Sequence, residues 1–126
     1  MQYLKVKGEN LRDHTRKCYA EATLESQLKS KEFWNCNAFK VTVGTNTPCG
    51  GDASHGGITL FRLRNLAGTC WSIVVDGTEV YEPDELTIVL EGDAEAETFV
   101  NSLIFAEKTL KKQGVKKHAL TMAKRV

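Results

Sequence analysis

Residues 93–113 read DAEAETFVNSLIFAEKTLKKQ, and this stretch decides the fold class. Phe99, Val100, Leu103, Ile104 and Leu110 recur at three- and four-residue intervals and form one apolar stripe of a helix. Asp93 stands where a cap is needed, and Glu95 and Glu97 put negative charge in the first turn, where the helix dipole favours it. Lysines populate the last turn and Gly114 stops it. The spacing predicts a helix over 93–113, packed through Phe99, Leu103 and Leu110.

Moving outward from the helix, the period changes to that of strands. ELTIVLEG (85–92) is one strand, and CWSIVVDGTEVY (70–81) is a hairpin, because Asp76-Gly77 between β-rich runs is a strong two-residue turn signal. In ITLFRLRNL (58–66), Phe61 and Leu63 share a face opposite Arg62 and Arg64. From Trp34 to Val43 the alternation puts Phe39, Val41 and Val43 on one side and Trp34, Cys36 and Ala38 on the other. CYAEATLESQLK (18–29) also alternates, with Cys18, Ala20, Ala22, Leu24, Ser26 and Leu28 on one face, so a strand is expected there. The same residues are good helix formers, and Glu25 with Lys29 makes an i,i+4 pair. The expected class is α+β: an antiparallel meander of about six strands with one C-terminal helix packed on the sheet. Residues 1–114 form a single domain in this reading, followed by a basic tail at 115–126.

Size and composition fit this picture. A chain of 126 residues with 41% hydrophobic and 26% charged residues buries enough surface to fold without staples. No apolar run reaches the length of a membrane span, and the first residues lack the apolar core of a secretory signal, so a cytoplasmic, membrane-free protein is expected. Cys18, Cys36, Cys49 and Cys70 contain no CxxC pair and read as buried free thiols rather than zinc ligands. Neither metal nor cofactor is expected. The net charge of +1 conceals an asymmetry. Residues 78–98 carry Glu79, Glu82, Asp84, Glu85, Glu91, Asp93, Glu95 and Glu97 with no base, while lysines and Arg125 fill 108–126 with no acid. Such blocks complement one another within a fold or between subunits, and a homo-oligomer is expected. The basic segment lacks interleaved aromatics, which argues against a nucleic-acid partner.

The candidate site is GTNTPCGGDASHGG (44–57), which holds five of the ten glycines in the chain. Joining two strands, it is neither a Walker A loop nor a dinucleotide fingerprint, both of which open directly into a helix. Amides beside glycines can still form a concave nest for an anion. Thr45, Asn46, Thr47, Gly50, Gly51, Asp52, Ser54, His55, Gly56 and Gly57 are therefore candidate ligand-binding residues. Arg62 and Arg64 would complete a phosphate clamp, with the paired strand face as the structural alternative. Cys49, Asp52 and His55 suggest a nucleophile, an orienter and a base, but spacing alone does not make a triad. Binding without turnover is expected.

The stretch FWNCNAFKVTVGTNTPCGGDASHGGITLFRL, followed by the helix above, resembles small uncharacterised proteins of phages and prophages, most specifically in its TNTPxGGDxxHGG loop. In size, β-plus-helix make-up and loop, the chain is also loosely similar to phage anti-defence sponges that sequester nucleotide signals of bacterial immunity. That resemblance implies a protein of an infected or lysogenic bacterial cytoplasm, holding a phosphate-containing small molecule such as a cyclic nucleotide. A structural or protein-interaction role of phage origin is the alternative, and a small phosphoesterase using His55 is a further one.

Overall fold

The computed structural model describes residues 15–116. The elements run α1 (Arg16–Thr23), β1 (Lys29–Trp34), β2 (Ala38–Thr45), β3 (Ile58–Ala67), β4 (Ser72–Val75), β5 (Thr78–Tyr81), β6 (Glu85–Glu91) and α2 (Asp93–Lys112). The class is α+β, as the sequence patterns predict. Four strands form an antiparallel sheet in the order β1-β2-β3-β6, and β4-β5 forms a separate hairpin inserted between β3 and β6. Asp76 and Gly77 both have positive φ (50° and 81°), which matches the twist of the hairpin they close. Trp71 ties the insertion to the main sheet: its ring centroid lies 4.9 Å from that of Phe39, and its Nε1 donates to the Pro83 carbonyl at 2.9 Å. The basic tail beyond Lys116 lies outside the described residues.

Cross-strand register sorts the side chains. Val43, Phe61 and Ile88 stand opposite one another, as do Val41, Leu63 and Leu86, so these six share one face. The other face carries Ile58, Leu60 and Arg62 from β3, with Val89 opposite Leu60. α1 covers this second face. Ala20 and Leu24 are fully buried against Ile58 and Leu60, with Leu28 and Val89 packed around them. α2 lies on the first face, where Phe99 meets Phe61 edge-on at 5.5 Å and Ala96 is buried.

Four expectations need correction. The alternating run from Trp34 to Val43 is not one strand: β1 ends at Trp34, residues 35–37 turn the chain, and β2 begins at Ala38, which pairs back with Trp34. Residues 18–29 are not a strand: α1 ends at Thr23, and a turn leads into β1. Ala20, Leu24 and Leu28 are spaced by four, so they satisfy a helical stripe and a period of two equally well. Helix-forming Ala and Glu, together with a Thr15 side chain that accepts from the Cys18 amide at 3.1 Å, decide for helix. The cysteines are free but not buried: Cys36, Cys49 and Cys70 are exposed, and Cys18 is half-buried. Finally, α2 packs through Ala96 and Phe99 but not along its whole stripe. Leu103 is 40% exposed, Ile104 45%, Phe105 69% and Leu110 50%, so the C-terminal half of the helix stands clear of the sheet.

Candidate functional site

The glycine loop (46–57) joins β2 to β3 and folds back on itself against the start of α2. The helix does not use Asp93 as its cap. Gly92 occupies the N-cap without a side-chain bond, and the Asp93 carboxylate turns outward into the loop. Its Oδ2 accepts from the amides of Cys49 (2.8 Å) and Gly50 (2.6 Å), and its Oδ1 accepts from Gly57 (2.8 Å). These bonds from Gly57, Gly50 and Cys49 hold the Asp93 carboxyl below the usual carboxylate range. The exchange is reciprocal, because the Ala94 amide in the first turn donates to Asp52 Oδ1 at 2.9 Å. Glu95 Oε2 adds a third tie, accepting from the Ala53 amide at 3.0 Å.

This arrangement explains the glycines. A Cβ at Gly51 would run into the His55 carbonyl, and one at Gly57 would run into Thr47. The chain can cross itself this tightly only without side chains at those points. Gly56 sits against the Gly51 carbonyl in the same way, and Ser54 donates its amide to the Glu91 carbonyl at 2.8 Å. The expected concave nest of amides therefore exists, but it holds an anion of the protein's own.

The remaining candidates divide into those brought together and those kept apart. The hydroxyl of Thr45 lies 3.0 Å from that of Thr47 and 2.7 Å from that of Thr59, forming a short ladder beside the loop. Asn46 Oδ1 accepts from the Ile58 amide at 2.7 Å, fixing the start of β3. Arg62 is elsewhere. Its guanidinium bonds Thr87 and Glu21 and lies 3.4 Å from Glu85, all on the α1 face and five residues, or roughly 17 Å, along β3 from the loop. Arg64 is exposed further along the same strand. The pair does not form a clamp over the loop. Burial pushes the Glu85 carboxyl up, but the Thr87 hydroxyl and the charges of Arg62, Lys17 and Arg64 together hold it below its ordinary value.

Cys49, Asp52 and His55 send their hydrogen bonds to three unconnected places. The thiol of Cys49 donates to the Asn46 carbonyl (3.2 Å), Asp52 caps Ala94, and His55 Nδ1 is 3.3 Å from the Ala53 carbonyl. The loop borders a groove of about 510 Å3, to which it contributes Thr47 and Asp52 beside Thr45, Thr59, Asp93 and Glu97, with Val100 further along α2. Threonine hydroxyls and carboxylates share its wall with Pro48, Ala94 and Ala96, and most of its lining is apolar. Along α2 it meets an apolar groove of about 290 Å3 between the helix and the sheet, lined by Val43, Phe61, Phe99, Val100 and Leu103. Among the described residues, no cluster of His, Cys, Asp and Glu is arranged to hold a metal ion. No described helix is long and apolar enough to cross a membrane.

Asp93, Glu97 and Thr59 are the site residues that spacing alone does not find. A carboxylate opening a helix carries the sequence signal of a cap, and nothing in the local pattern says that it will serve a loop some forty residues away. No known protein family matches the chain, nor does any curated protein or solved structure.

Proposed function

We propose that this is a non-catalytic binding and assembly protein whose working surface is the open apolar face around α2. The observation that carries this reading is the exposure of Leu103, Ile104 and Leu110 on a helix whose first half is anchored and whose second half meets no other element among the described residues. Water-exposed helical turns gain little stability by themselves, and an apolar stripe is retained where a partner buries it. A small assembly part of phage origin, acting in the cytoplasm of an infected or lysogenic host, agrees with this surface. Hydrogen exchange of the full chain in solution tests it. Amides of residues 104–112 should exchange far more slowly than those of a fraying helix end. Exchange at the rate of an unprotected helix end would remove the reading.

A second reading keeps a nucleotide as ligand, favoured by the volume of the groove beside the loop, which falls within the range of small-molecule sites. Its carboxylates and threonine hydroxyls suit ribose hydroxyls and exocyclic amines better than phosphate. The melting temperature should then rise with a mononucleotide or cyclic dinucleotide, and Glu97→Gln should abolish the rise. A flat response across such a panel removes this second reading and leaves the first untouched.

A further inference from the structure

We propose that the occupant of the open face is a second copy of this chain, with the two α2 helices antiparallel and each C-terminal half seated in the apolar groove of its partner. The inference rests on the docking surface proposed above and names what fills it. α2 supplies both halves of such a contact. Val100 and Leu103 line the groove beside Phe61 and Val43, and Ile104 and Leu110 carry the same stripe beyond it as the insert. At 1.5 Å per residue, the stretch from Ile104 to Lys112 reaches about 13 Å, enough to lie along a neighbouring helix for about two and a half turns.

Charge fixes the direction. α2 begins with Asp93, Glu95 and Glu97 and ends with Lys108, Lys111 and Lys112. Asp93 and Glu95 are engaged by loop amides, which leaves Glu97 as the free acid of the first turns. Lys111 pairs with Glu107 on its own helix, which leaves Lys108 and Lys112 to reach outward. A parallel pairing would set lysine against lysine. An antiparallel one brings Glu97 of each copy toward the lysines of the other, twice over by the two-fold axis. Such an isologous contact is self-closing, so the assembly stops at two.

Light scattering of the full chain at micromolar concentration should give the mass of a dimer. Ile104→Glu and Leu110→Glu should each give a monomer with an unchanged circular dichroism spectrum, because both side chains are exposed within one chain. Glu97→Lys should weaken dimerisation about tenfold, since two exposed ion pairs are lost at under 1 kcal/mol each. Lys112→Glu should weaken it similarly, and the double variant Glu97→Lys/Lys112→Glu should recover most of the loss. A monomeric wild type, a dimer indifferent to both apolar variants, or a double variant no better than the singles would each overturn the proposal. A monomer whose residues 104–112 nevertheless resist exchange would overturn self-pairing while leaving the docking surface in place.

Discussion

The two faces of the four-stranded sheet are covered by helices of very different commitment. On one face the short α1 closes a core in which Ala20, Leu24 and Leu60 lose all contact with water, sealed at one side by Arg62 with Glu21 and Glu85. On the other face the much longer α2 is fastened at its start by hydrogen bonds and by the Phe61–Phe99 contact, and then leaves the surface. Eight residues of helix close a face, and twenty leave one open. Burial follows from where the apolar side chains fall relative to the sheet, not from helix length.

Substitutions can break this contrast. The largest effect is expected at Leu24→Ala and Leu60→Ala, each destabilising by about 2–5 kcal/mol in chemical denaturation, because a fully buried side chain leaves a cavity behind. Next, Arg62→Ala should cost about 1.5–3 kcal/mol, since Glu21, Glu85 and Thr87 lose a charged donor at a half-buried position. Smaller again, Asp93→Asn should lower the melting temperature at neutral pH and flatten its dependence on acid. The sign follows from the depressed carboxyl: its stabilisation is complete above the ordinary aspartate value of about 3.9 and disappears as pH falls through the lower folded-state value. Melts from pH 7 down to pH 3 should therefore show an acid limb in the wild type that is shallower in the variant. The smallest change is expected at Leu110→Ala, within about 0.5 kcal/mol in chain diluted to the monomer. A loss there equal to that of Leu60→Ala would mean that the two faces do not differ.

The strands were legible because a period of two with apolar residues on one side has few other meanings, and β3, β6 and the Asp76-Gly77 hairpin stand where that pattern put them. α1 was not, because even-numbered apolar residues spaced by four fit both templates, and only the surrounding alanines and glutamates tip the choice. The glycine loop was legible as a place where amides converge. Its anion was not, because Asp93 reaches it through the tertiary fold rather than along the chain. Arg62 shows the same limit from the other side. Alternation gave its face correctly but could not say that an acidic residue of α1, forty-one positions earlier, would take its guanidinium.

The exchange of bonds between the loop and α2 also bears on the order in which the molecule takes shape. β2 and β3 leave the ribosome well before residue 93 and can pair as soon as they emerge, yet the loop between them has no carboxylate to gather its amides until Asp93 and Glu95 have been made. The loop therefore sets late, as a clasp closed by α2 rather than as a turn that starts the hairpin. A nascent chain stalled before residue 93 should carry this segment open to protease, and one released after α2 should not.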